Sequence, residues 1–274
     1  MNREKAAIII SASSDIGSAM GRRWLGMGWR VMGTYRARSQ AVSELEALGG
    51  KCIPCDLSDR QSVQQACSRL KSLSPPWDVL VLCPGTQEPV GSFGDCDFGE
   101  WEESIRVNFS GQMQVLHELL PYRQVHSSGG PCVLFFAGGG TNNAPPNYSA
   151  YIVSKIGLIK MCELLDAEVP DTRFIIAGPG WVKTKIHKAT LRASSRAGAN
   201  YDRTLEKLAG NECTPMEKVL DFCDWVVASP KATVSGRNFS VVHDPWGSEA
   251  LKMKLAGDPD MYKLRRSGNN WRPE

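Results

Sequence analysis

The chain has 274 residues, 42% of them hydrophobic and 22% charged, with a formal net charge of +3. This is an ordinary globular composition on a chain long enough to bury a sizeable core. The charge is too small to point to nucleic acid or a membrane surface, and the densest basic run is the four residues 263–266. The apolar run 6–10 is too short for a signal-peptide core or a membrane span, so a first buried strand in a cytoplasmic protein is expected. Nine cysteines, scattered and odd in number, do not make a disulfide framework. Cys83, Cys132, Cys162 and Cys223 sit in apolar runs as small buried hydrophobes. Cys52 and Cys55 have a redox-like spacing, but they end an apolar strand and no second ligand pair stands at a zinc spacing. Both are read as plain strand residues, and no metal site is expected.

After the strand at 6–10 comes a turn of small residues, Ser11, Ala12, Ser13 and Ser14, then a helix with Ile16, Met20, Trp24 and Leu25 on one face. A helix N-terminus carries unpaired N–H groups and partial positive charge, so this turn is a candidate pyrophosphate cradle. A second strand at 30–35 runs into Arg36 and Arg38. In a dinucleotide fold, an acidic residue at this point selects NAD and an arginine accommodates the 2′-phosphate of NADP. Two arginines and no carboxylate favour NADP(H) over NAD(H).

A helix at 39–48 stops at Gly49 and Gly50, and a third strand at 51–55 is followed by Asp56 and Leu57. A helix at 58–73 ends before Pro75 and Pro76, and the fourth strand, 77–82, is apolar without interruption, as a strand covered on both faces must be. The Gly/Pro-rich loop 83–94 is expected to line a site. One long helix is expected over 98–120, carrying Asn108, and a fifth strand over 131–136. Next come a glycine loop, a helix over 149–168, and a sixth strand over 172–177 leading into Pro179, Gly180, Val182 and Thr184. Residues 186–209 read as a polar, mobile segment that closes over substrate. A helix at 215–227 and a last strand at 238–242 follow, and 244–274 is a tail with Trp246, Trp271 and the basic cluster. The alternation, free of linkers and repeats, predicts an α/β, doubly wound, mostly seven-stranded parallel sheet. The expected organisation is one domain over 1–243, with a substrate-loop insertion at 183–212 and the tail at 244–274.

Tyr151 and Lys155 stand four apart, on one face of the predicted 149–168 helix. A lysine ammonium one turn from a tyrosine favours the phenolate, bringing a group with a free pKa of ~10 nearer neutrality. The pair can serve as general acid and base in a carbonyl–alcohol interconversion.

With these motifs in this order, the chain over about 6–242 resembles the short-chain dehydrogenase/reductase family, in its single-domain branch. Ser11, Asp15 and Gly17 stand at the three glycines of the family's turn, so two glycines are replaced. Asp56-Leu57 matches the adenine contact, and Leu82-Cys83-Pro84-Gly85 keeps only the glycine of the family's Asn-Asn-Ala-Gly. Asn108, the Tyr151/Lys155 pair and Pro179-Gly180…Thr184 match in place. The resemblance implies a Rossmann-type fold and an NAD(P)-dependent oxidoreductase that forms homodimers or homotetramers. Tyr151 would pass a proton to or from the substrate oxygen. Lys155 would lower its pKa and hold the nicotinamide ribose, and Asn108 would position a relay water. Ser11, Ser13, Ser14, Asp15, Ile16, Pro84, Gly85, Pro179, Gly180, Val182 and Thr184 would line the cofactor, the last two at the nicotinamide carboxamide.

One departure bears on catalysis. The family's serine, thirteen positions before the tyrosine, is Gly138 here. Losing one donor aimed at a developing oxyanion costs ~10²–10³ in rate. Thr141, or the Asn142 or Asn143 amide, could stand in. The glycine N–H groups could form the hole themselves, or the chain could be a dinucleotide-binding sensor or assembly protein with little catalysis. The retained Tyr151, Lys155 and Asn108 argue against the last. The polar site loop suits a hydroxylated, sugar-like substrate, and the basic tail cluster a phosphate on it. An extended-branch epimerase or dehydratase would need a larger C-terminal domain.

Overall fold

The computed structural model describes residues 3–126 and 129–267. Trp271, expected in the tail, lies outside the described residues. In chain order the elements are β1 (Ala6–Ile10), α1 (Asp15–Gly26), β2 (Arg30–Tyr35), α2 (Gln40–Ala47), β3 (Lys51–Pro54), α3 (Arg60–Leu73), β4 (Val79–Leu82), α4 (Phe98–Ile105) and α5 (Gly111–Leu119). They continue as β5 (Cys132–Phe136), α6 (Ser149–Glu168), β6 (Arg173–Gly178), α7 (Lys188–Ala193), α8 (Ala199–Ala209), α9 (Met216–Ala228), α10 (Lys231–Val234), β7 (Arg237–Ser240) and α11 (Glu249–Gly257).

The seven strands form one parallel sheet in the order β3-β2-β1-β4-β5-β6-β7. This is the doubly wound, Rossmann-type fold expected from the alternation. Helices cover both faces, which is why the central strands are apolar at every position. Along β1, Ala7 and Ile9 join a core with Trp24, Val31 and Phe222. Ile8 and Ile10 point the other way, into a core with Leu70, Leu80 and Phe135. Each of the three isoleucines contributes about 1.5–3 kcal/mol by its burial. The strand order reverses between β1 and β4, and a crevice opens at the C-terminal ends of strands where connections diverge.

Three segments differ from the sequence reading. The helix expected over 98–120 is interrupted: Arg106–Ser110 widens into a π-turn between α4 and α5. The helix is pressed onto the connection after β3. A Cβ added to Gly111 would lie 2.6 Å from the Leu57 carbonyl oxygen and 2.8 Å from that of Arg106. Second, the segment after β6, read only as polar and mobile, forms α7 and α8, and Ala189, Ala193 and Ala197 pack with Val90 and Tyr148 in a small apolar cluster. Third, the tail is tied down. Buried Arg237 donates to the carbonyls of Leu255 (2.9 Å) and Met261 (2.5 Å), and Asn238 N donates to Tyr262 O at 2.8 Å. Arg265 of the basic cluster is paired with Glu163 of α6 at 2.7 Å and with Asp260 at 2.8 Å. Among the described residues, no helix is long and apolar enough to cross a membrane.

Candidate active site

The turn after β1 keeps a glycine-type shape with little glycine. Ser11 sits at φ 61°, the left-handed region that glycine enters most cheaply. Holding a serine there costs about 1–2 kcal/mol. Gly17 is irreplaceable on the same grounds of space: an added Cβ would lie 2.6 Å from Ser11 O and 2.8 Å from Ser14 Oγ. Ser14 caps α1, its Oγ accepting from Gly17 N at 3.0 Å. Asp15 occupies the first turn of α1, and its carboxylate accepts from Lys185 N at 2.7 Å.

At the end of β2, Arg36 is exposed, whereas Arg38 is ion-paired with Glu46. Ser39 Oγ, just before α2, is buried without a protein hydrogen-bond partner. Asp56 Oδ1 accepts from Ser58 N (2.9 Å) and Ser58 Oγ (2.8 Å), and Leu57 is buried. On the Cys52–Cys55 segment, burial pushes the thiols up to about 11 and about 12. Both are therefore protonated thiols at neutral pH, Cys52 in β3 and Cys55 just after it. Among the described residues, no group of three His, Cys, Asp or Glu could hold a metal ion.

The catalytic candidates meet at the C-terminal ends of β4 and β5. Lys155 is buried on α6 and donates to Pro84 O at 3.2 Å and Phe136 O at 3.1 Å. Its ammonium also lies 5.6 Å from the Tyr151 ring centroid, within cation–π reach. Burial pushes Lys155 down to about 8 and Tyr151 up to about 12. The expected lowering of the tyrosine's pKa is therefore not seen: the ammonium faces two carbonyls, and desolvation of the phenol dominates. Tyr151 is held as a neutral phenol, and its hydroxyl makes no hydrogen bond to any described residue.

Gly138 explains where the Tyr151 ring lies. A Cβ added there would be 2.3 Å from Tyr151 Oη, 2.6 Å from Cζ and 2.7 Å from Cε1. The phenol occupies the space into which a serine side chain would project. Thr141, the expected substitute donor, turns its Oγ1 to Gly138 O at 3.5 Å, the limit of a hydrogen bond. Asn142 and Asn143 are exposed.

Asn108 is fully buried in the π-turn, and its amide is spent on the loop after β4. Oδ1 accepts from Thr86 N (2.9 Å), while Nδ2 donates to Thr86 O (2.8 Å) and Ser104 Oγ (3.1 Å). Its carbonyl accepts from Gln112 Nε2 at 2.7 Å. Across the crevice, Gly180 adopts φ 75°, where an added Cβ would lie 2.4 Å from both Thr214 Oγ1 and Val242 Cγ2. The Val182 carbonyl meets His187 Nε2 at 2.9 Å, and a carbonyl only accepts, so that nitrogen carries the proton. Trp181 stacks on the His187 ring at 3.8 Å, and burial lowers the His187 pKa, keeping the imidazole neutral. Pro179 and Thr184 flank this loop.

Several site residues escaped the sequence reading. Gln112 is fully buried, lies 3.5 Å from the Pro84 carbonyl that Lys155 also uses, and has an unpartnered Oε1. Tyr148 shares a 2.8 Å hydrogen bond with Thr190, which in turn donates to Gln87 at 3.1 Å, joining α7 to the loop after β4. Gln112 sits one turn after Asn108, a spacing that could have flagged it. Nothing local pairs Gln87 with Thr190.

The fold is found in known proteins. The family model described as short chain dehydrogenase matches residues 5–194. The chain belongs to the short-chain dehydrogenase family. It is similar to the oxidoreductase UcpA of Salmonella typhimurium, at 26% identity over 70% of this chain and 74% of that protein. It is also similar to a fatty acyl-CoA reductase of Acinetobacter baylyi, at 27% identity over 60% of this chain. D-threitol dehydrogenase of Mycolicibacterium smegmatis is 24% identical over 60% of this chain. The matched stretch spans less than two thirds of the last two relatives, 57% and 64% of their lengths. Among solved structures, an actinorhodin polyketide ketoreductase with NADPH aligns with a TM-score of 0.76 at 20% identity, covering 87% of this chain and 95% of that one. The aldohexose dehydrogenase of Thermoplasma acidophilum gives 0.72 at 20% identity, covering 90% and 97%. This short-chain dehydrogenase is an NAD(P)-dependent oxidoreductase. The left-handed Ser11, the close-packed Gly17 and the crevice at the β1/β4 reversal fit a nicotinamide dinucleotide.

Proposed function

We propose that the chain interconverts a carbonyl and a secondary alcohol on a polar small molecule, with NADP(H) as cofactor and Tyr151 as proton donor and acceptor. The observation that carries this is Tyr151: a mostly buried, neutral phenol whose hydroxyl has no partner among the described residues, one helical turn from a buried lysine. When bound, the cofactor supplies or accepts the hydride at the substrate carbon. Tyr151 gives its proton to the carbonyl oxygen in reduction and takes one back in oxidation. Lys155, charged near neutral pH, opposes the negative charge left on the phenol oxygen. Asn108 acts by holding Thr86 and the loop after β4. Ser11, Ser13, Ser14, Ile16, Asp56, Leu57, Pro84, Gly85, Pro179, Gly180, Val182 and Thr184 would hold the dinucleotide along the crevice.

NADP(H) is supported by exposed Arg36, by Arg38 and by the unpartnered Ser39 Oγ at the start of α2. A polar substrate is supported by the Tyr148–Thr190–Gln87 chain and by the polyol named in D-threitol dehydrogenase. Exposed Phe98 on α4, with Val153 and Leu164 on α6, supports a homo-oligomer through these helices, which light scattering checks. Assay of the purified chain with NADPH, NADH and a panel of ketones and ketoses tests the activity. NADPH should bind more tightly than NADH. Tyr151→Phe should lose about 10²–10⁴ in turnover while still binding cofactor. Undiminished turnover in that variant would refute the mechanism.

A further inference from the structure

Asp15 stands where the resembling family has the second glycine of its turn, so a carboxylate is placed at the helix N-terminus that receives the cofactor's diphosphate. Two like charges there would oppose each other. The structure holds a counterpart 170 residues away. Lys185, just beyond Thr184, touches the turn at two points: its backbone N donates to Asp15 Oδ2 at 2.7 Å, and its ammonium donates to Ser13 O at 2.5 Å. The amide contact fixes where the lysine stands. The ammonium contact is with a neutral backbone carbonyl at an exposed position, and Lys185 has no ion pair among the described residues, so its charge is not neutralised by the protein.

We propose that Lys185 is a ligand of the cofactor diphosphate and that Asp15 is the positioning residue that holds it there. This rests on reading the crevice as a dinucleotide site. As the dinucleotide enters, the Lys185 ammonium leaves Ser13 O for a phosphate oxygen, while Asp15 keeps its hold on the Lys185 amide. The loop carrying Val182 and Thr184 is thereby closed on the turn by the charge of the ligand. Lys183 lines the same cleft as Asp15 and Lys185, but it makes no hydrogen bond or ion pair among the described residues. It reports the general effect of a nearby positive charge.

The experiment is titration calorimetry of NADPH with the wild-type chain and with K185M, K183M and D15N, at low and moderate salt, each variant first checked for a native melting transition. K185M should bind about tenfold more weakly, the low end of what a hydrogen bond to a charged group contributes, with a flatter salt dependence. K183M should stay within about twofold of wild type. D15N can still accept from the Lys185 amide but removes the opposing charge, so it should bind as tightly as wild type or more tightly. Limited proteolysis of residues 183–212 gives a second readout: NADPH should protect the wild type and protect K185M less. K185M binding like wild type, or K183M weakened as much as K185M, overturns the assignment. Wild-type chain that binds neither NADPH nor NADH refutes the dinucleotide reading itself, a result distinct from a failure of Lys185 alone.

Discussion

The turn after β1 and the end of β5 both depart from the pattern that the resemblance implies, with different consequences. In the turn, serine and aspartate replace two glycines, yet the backbone path survives. Ser11 accepts the left-handed conformation, and Gly17 keeps the one close approach that admits no side chain. At the end of β5, Gly138 stands where the resemblance places a serine, and the Tyr151 ring fills the space that such a side chain would take. A phosphate is bound mainly by backbone N–H groups and a helix terminus, which most side chains leave in place. A reacting oxygen is met by particular side-chain atoms, and removing one lets its neighbours move. Backbone recognition thus tolerates substitutions that side-chain chemistry does not.

The comparison can be broken most directly at Gly138. Restoring the family serine with Gly138→Ser should destabilise the fold by about 1–3 kcal/mol, the usual cost of overpacking, and should lower turnover. Urea melts and steady-state rates measure both. Turnover above wild type would mean that Tyr151 is displaced into a better position, and the glycine would then be a plain loss of function.

Lys155 sharpens the contrast between stability and chemistry. Its folded pKa of about 8 lies below the ordinary 10.5, so between those values the unfolded chain holds more protons. The contribution of Lys155 to stability therefore rises with pH across that window. Tyr151 acts oppositely: raised from 10 to about 12, it makes the folded chain hold more protons there, and its contribution falls as pH rises. Lys155→Met should unfold no more easily than wild type at pH 7, lose the rise between about 8 and 10.5, and lose turnover. Thermal melts across pH check the first two and rates the third. A clearly lower melting temperature at pH 7 would show that the two carbonyl contacts outweigh desolvation.

The smallest effect belongs to Ser11→Gly. Relief of the left-handed strain and the greater freedom of the unfolded chain nearly cancel, so stability should change by less than about 1 kcal/mol. NADPH affinity should be unchanged, because the backbone path is the same. Affinity altered tenfold would show that the Ser11 hydroxyl, and not its backbone, serves the cofactor.

The sequence by itself determined the seven strands, most of the helices between them up to β6, and the place of the Tyr151/Lys155 helix, whose bounds at 149 and 168 are met. These features are written in local signals: apolar runs for covered strands, helical spacing between them, and Gly or Pro at the stops. It also exposed the change at Gly138. Only the tertiary structure decided what that change does, because the Tyr151 ring reaches Gly138 across the gap between α6 and the end of β5. The π-turn at Arg106–Ser110 was illegible for the same reason: RVNFS contains no breaker, and the widening answers to Leu57 in another segment. The contacts of Gln87 with Thr190 and of Asp15 with Lys185 join residues 103 and 170 positions apart. Periodicity reports which face of an element is buried, while the partner on that face is chosen by packing, and it is packing that gives the site its charges and its spare hydroxyl.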